Sequence, residues 1–360
     1  MKKSIVGLLT GIMVVSSWAT YLPQQAGAEE NTRKNIEFQL SAEEQSYVNE
    51  MLGECSDFTN ENGLEIKKTD CERMVGLGFD LEDMENMDQE EYDGNKDEEA
   101  EIVNVERSFF KHTYAMSEPV ITDEYGVSKT ASGAEPTVVG EVQEELSEEE
   151  FNKQLEEVKK IEETSVNGLI ETFAMTELTA ITSKIDKNTF RVTTALKWKD
   201  TPVVRQEDVF TATMRYPDYW SINRSKRSGK QYWEGKKYVY DAKAGKSSWK
   251  NTKGTIRYNK DSSKWLNRYN SDGLLINLKD NASLLKVNYI KNKFYYNYDL
   301  NKSSYPYTYV ENKGMYRHKI ANFTIKPSEI TVSHDYGITF AVGNSKFDKQ
   351  RTKVSKVKFK

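Results

Sequence analysis

From residue 165 onward the hydrophobic period of the chain changes, and this restricts the possible folds more than any other feature. Phe190, Val192, Thr194, Leu196 and Trp198 alternate with Arg191, Thr193, Ala195 and Lys197. Successive side chains of a strand point to opposite faces, so this pattern predicts a half-buried strand. Short runs rich in Tyr, Val, Ile and Thr recur at 209–216, 236–240, 255–258, 274–278, 284–290, 294–298, 305–310, 320–325, 330–333 and 338–342. Turn clusters such as Asp-Gly and Glu-Asn-Lys-Gly separate them. Strands in such number without intervening helices predict a mainly antiparallel β-sandwich or open β-barrel over 165–360.

The preceding half leans towards helix, which makes the expected class α+β. Ser41-Ala-Glu-Glu44 reads as a capping box, and Tyr47, Val48, Met51 and Leu52 follow at helical spacing, predicting a helix over 42–53. A second box, Ser147-Glu-Glu-Glu150, opens an amphipathic helix over 147–164 with Phe151, Leu155, Val158 and Ile161 on one stripe. Ile102, Val105, Phe109 and Phe110 predict a further short helix ending before Pro119. Asp80–Glu101 carries 12 acids against Lys96, a composition that predicts a solvated or disordered loop. The sequence thus divides into an acidic, helical and partly disordered region (29–125), a linker (126–146), the 147–164 helix and the β domain.

Charge is sorted along the same axis. Residues 29–165 hold 39 Asp/Glu and 12 Lys/Arg, whereas residues 166–360 hold 17 and 37. Lys2 and Lys3, the apolar run Ile5–Val15 and Ala26-Gly27-Ala28 predict a signal peptide over 1–28, cleaved before Glu29. The run is shorter than the about 20 apolar residues that span a bilayer. A secreted chain is expected, extracellular or held non-covalently on a cell wall, and its composition resembles that of Gram-positive secreted proteins. In an oxidising compartment Cys55 and Cys71, the only cysteines, predict one disulfide. Closing a loop of about 15 residues, it would contribute about 3 kcal/mol.

Catalytic signatures are sparse. There is no G-x-S-x-G or H-E-x-x-H motif and no Gly-rich phosphate loop. His112, His318 and His334 are expected at the surface or at strand ends. Asp93-Gly-Asn95-Lys-Asp97 opens like a calcium loop, but Glu98 and Asn104 occupy positions that need Gly and Glu. No metal or cofactor is expected.

The basic half carries the usable signal, because Trp, Tyr, Lys and Arg interleave between Trp198 and Tyr316. Arg224, Lys226, Arg227 and Lys230 form a basic loop, and Lys291, Lys293, Tyr295, Tyr298 and Tyr307 extend the candidate surface. Lysines there would grip anions while exposed rings stack on sugars or sit among headgroups. The expected partner is an anionic envelope polymer, glycan or lipid surface; a contact between the two halves of the chain is a further expectation, and nucleic acid is not expected. The expected function is non-catalytic binding. Two alternatives are a toxin or antimicrobial protein masked by an acidic pro-segment, and an envelope-acting hydrolase.

Overall fold

The computed structural model describes residues 39–117, 120–122, 128–130, 137–164, 173–199, 202, 205, 207–215, 218–241, 243, 245–269, 271–301, 309–318, 327–333, 337–340, 350–352 and 355–358. The signal-peptide segment, Tyr307, His334 and most of the 126–136 segment lie outside them.

An N-terminal lobe comes first: α1 (Ala42–Gly53), the short β1 (Phe58–Thr59) and β2 (Glu65–Ile66), α2 (Lys68–Gly76), α3 (Leu81–Glu85) and α4 (Gln89–Asn95). Ser41 caps α1 as its sequence dictates: its hydroxyl accepts from the Glu44 N–H while the Glu44 carboxylate accepts from the Ser41 N–H. Glu44 also accepts hydrogen bonds from the Val105 N–H and the Asn104 amide, fixing the helix to the neighbouring sheet. A Cys55–Cys71 disulfide joins the end of α1 to α2. Met74, Leu77, Phe79, Met84 and Met87 fill the lobe core. The acidic run 80–101 is therefore ordered rather than a solvated loop, because Met84 of α3 and Met87, which follows it, are buried in the lobe core and carboxylates of α3 and α4 find cations on the sheet below.

That sheet is antiparallel and seven-stranded among the described residues: β3 (Glu101–Ser117), β6 (Thr137–Leu146), β7 (Phe173–Lys184), β8 (Thr189–Trp198), β10 (Trp220–Asp241), β11 (Lys246–Tyr258) and β13 (Leu285–Leu300), in the order β11-β10-β13-β8-β7-β3-β6. A smaller sheet holds β9 (Glu207–Met214), β12 (Ser271–Asn277), β14 (Tyr309–Arg317), β17 (Gln350–Arg351) and β18 (Ser355–Lys358). Two two-stranded pieces, β4 (Val120–Thr122) with β5 (Ser128–Thr130) and β15 (Ile330–Ser333) with β16 (Gly337–Phe340), complete the strands. The sheets pack as a sandwich, with no closed barrel. Phe190, Leu196, Trp198, Phe294 and Tyr296 of the large sheet meet Phe210, Leu274 and Tyr316 of the small one.

The other face of the large sheet is covered as well, by the lobe and by α5 (Glu148–Thr164). The α5 capping box forms between Ser147 and Glu150, and Phe151 packs on Phe109, Leu146 and Met175. The alternation in β8 is therefore real, but its polar face is not solvated: Arg191 and Thr193 are as buried as Val192.

Three expectations are corrected. Residues 101–117 are a strand, not a helix. Residues 137–146 of the expected linker form edge strand β6, paired with β3 over Phe109–Ser117. The charge boundary near residue 165 does not divide the fold, because β3 and β6 from the acidic half share a sheet with β7 and β8 and residues 37–360 form one compact unit.

Candidate functional site

Most of the expected binding residues point inward. Lys291, Lys293 and Tyr295 alternate on the lobe side of β13 and are buried. The Lys291 ammonium lies 2.6 Å from Asp80, 2.9 Å from Asp83 and 3.2 Å from Glu82. Lys293 pairs with Asp83 and donates to the Gly78 carbonyl at 3.0 Å. Lys230 pairs with Glu91 at 3.2 Å and donates to the Asp83 carbonyl at 3.0 Å. Tyr295 packs against Phe79 and beneath the Arg191 guanidinium, and its hydroxyl accepts from Asn95. Tyr298 is buried on the opposite face, its hydroxyl 2.8 Å from that of Tyr296.

Coordination number decides how the two neighbouring lysines titrate. Burial pushes the Lys291 ammonium down, but the carboxylates of Asp80, Asp83 and Glu82 outweigh it and hold the group well above its ordinary value. Burial also lowers Lys293, and Asp83 with the more distant Asp80 does not compensate beside the Lys291 and Lys230 charges, so its pKa falls to about 8.

A cleft of about 390 Å³ opens between α4 and the base of the β10–β11 hairpin, and Lys226, Arg227, Lys230 and Tyr295 all line it. Its cations are largely committed. Arg227 binds Asp272 at 2.7 Å and lies over the Trp265 ring, while Arg257 pairs with Asp88 at 3.0 Å. Arg224 reaches Asp272 at 3.6 Å and donates to the Arg268 carbonyl. Lys226 is exposed on the rim. An incoming anion would compete with carboxylates already in place, so the cleft is a poor grip for one.

Two of the histidines lie elsewhere than expected. His112 and His318 are fully buried. His318 Nδ1 is 3.1 Å from Asp208, which also accepts from the Tyr316 hydroxyl. This acid–base pair is sealed inside the sandwich beside Trp198.

Among the described residues, the outer half of the β10–β11 hairpin, beyond the lobe, gathers exposed cations that have no ion-pair partner. Lys236, Lys237, Lys246, Lys250 and Lys286 are exposed, and none makes an ion pair among the described residues. Tyr238 and Trp249 face each other across the strands with ring centroids 5.3 Å apart, and Lys286 lies 5.0 Å from the Trp249 ring. Tyr238, Tyr240 and Trp249 are 39%, 65% and 40% exposed. Sequence reading missed this group. Its trace is the alternation Lys236-x-Tyr238-x-Tyr240 on β10 and Trp249-x-Asn251-x-Lys253 on β11, which places all six residues on one face.

Among the described residues no group of His, Cys, Asp and Glu is placed to hold a metal ion, and no helix is long and apolar enough to cross a membrane. No protein-family model matches the chain, and no curated protein does. A solved structure, the C-terminal domain of the Streptococcus agalactiae AgI/II polypeptide BspA, is similar over 70% of this chain and 84% of that one, with 9% identity and a TM-score of 0.23. Likeness that loose transfers neither a topology nor an activity.

Proposed function

We propose that this is a secreted, non-catalytic binding protein that contacts an anionic cell-envelope polymer or membrane surface through the β10–β11 hairpin. The supporting observation is the contrast between cations matched internally beneath the lobe and the exposed, unpaired lysines around Tyr238, Tyr240 and Trp249. Exposed like charges on one ribbon attract a polyanion over a Debye length of about 8–10 Å at moderate salt. Retention of the purified protein on isolated cell walls or phosphatidylglycerol vesicles should be firm at about 0.01 M NaCl, where the Debye length is about 30 Å, and lost as NaCl rises past about 0.15 M, where it is about 8 Å or less. Retention indifferent to ionic strength would remove the reading. Masking by a removable acidic pro-segment fits less well, because excising residues before 165 would strip β3 and β6 from the large sheet.

A further inference from the structure

The hairpin carries more than charge, and its other groups narrow the ligand. Resting on the reading above, we infer that the hairpin face bearing Trp249 is a binding site for a saccharide chain that carries phosphate or carboxylate groups. Beside Trp249 runs an open groove of about 360 Å³ whose lining includes Glu234, Lys236, Asn251, Lys253 and Asn288. The cross-strand partners Lys236 and Asn251 place an ammonium and an amide on the face that also presents the Tyr238 and Trp249 rings. Gly235 closes the groove floor: a Cβ there would collide with the Lys286 carbonyl, so β10 approaches β13 closely where their register shifts.

Each group has a use on such a ligand. The apolar C–H face of a sugar ring stacks on an aromatic ring. Two amides and a carboxylate supply both donors and acceptors for sugar hydroxyls. Lys236 and Lys286 meet the anionic substituents, and Lys286 over Trp249 brings a charge to the edge of the stacking surface. Other anionic partners match less of the surface. Acyl chains would cover the Asn251 and Asn288 amides without offering them hydrogen-bond partners. A bare polyanion has no use for the rings or the amides.

Affinities of the purified protein should be measured for hyaluronate, a phosphorylated mannan, neutral mannan, polyphosphate and phosphatidylglycerol vesicles at one ionic strength. At least one anionic saccharide should bind about tenfold tighter than polyphosphate of equal charge and than neutral mannan, since stacking and charge act together. Trp249→Ala should reduce saccharide binding about tenfold and polyphosphate binding by less than about twofold, whereas Trp249→Phe, which keeps a ring, should retain most of the affinity. Half-exposed Trp249 lies outside the core, and circular dichroism identical to that of the parent protein verifies the fold. Equal affinity for polyphosphate and saccharide, equal losses on both in Trp249→Ala, or a preference for vesicles would overturn the saccharide assignment while leaving the anionic-surface reading standing. Failure to bind any of these anions would overturn both.

Discussion

Replacing Asp83 with alanine should destabilise the protein by about 3–5 kcal/mol, the typical result of removing one partner from a buried ion pair. Its carboxylate bonds two buried ammonium groups, Lys291 and Lys293, and accepts the Asp80 N–H that opens α3. Alanine leaves Lys293 with the Gly78 carbonyl as its only other hydrogen-bond acceptor in the cluster. Urea unfolding of Asp83→Ala measures the loss, and a change below about 1 kcal/mol would show that the cluster does not hold lobe and sheet together. Pairing Asp83→Leu with Lys293→Met should cost less than the sum of the single changes, because the double variant removes both charges of one pair.

Stability should rise with pH in two separate windows, one acid and one alkaline. Burial alone would raise the Asp80 carboxyl, but Lys291, Lys197 and Lys293 outweigh it and hold the group well below its ordinary value. Glu177 is lowered against burial in the same way, by Lys197, Arg107 and Lys199. Folded values below the unfolded ones, about 3.9 for Asp and 4.3 for Glu, mean that this stabilisation is complete above those values and is lost as pH falls through the folded ones. Lys293 acts at the alkaline end. Burial lowers it to about 8 in the folded state, against about 10.4 unfolded. Between these limits the unfolded chain binds more protons, so stability rises with pH. Urea midpoints should therefore fall steeply below about pH 4 and climb between about pH 8 and 10, with Lys293→Met abolishing the climb. An alkaline climb that survived in Lys293→Met would assign it to another group.

Local chemistry made part of this fold legible. Both capping boxes, the disulfide and the β8 alternation follow from residues close in sequence. The misreading of 101–117 has a definite cause. A register shift between Ile102 and Asn104 inserts one extra residue into β3, so Ile102 and Val105 both reach the lobe core three residues apart. Phe109, four residues further on, faces α5 on the same side. Spacings of three and four then imitate a helical stripe. The candidate site failed to show for another reason. Whether Lys291-x-Lys293 faces water depends on Asp80 and Asp83, more than 200 positions away. Periodicity assigned those lysines to a face but could not say that an acidic lobe covered it. The hairpin lysines are the same residue type on the same kind of antiparallel strand, and differ in lying beyond the lobe's reach.

Retention on a polyanion matrix tests most directly whether folding leaves the hairpin as the positive face of the molecule. Two triple variants would be eluted on one NaCl gradient: Lys236→Gln/Lys250→Gln/Lys286→Gln on the hairpin, and Arg224→Gln/Lys226→Gln/Lys260→Gln around the cleft, which the exposed Lys260 also lines. The hairpin variant should elute far earlier than the parent, with affinity reduced about tenfold or more, while the cleft variant stays close to it. Early elution of the cleft variant, with the hairpin variant unchanged, would contradict the account.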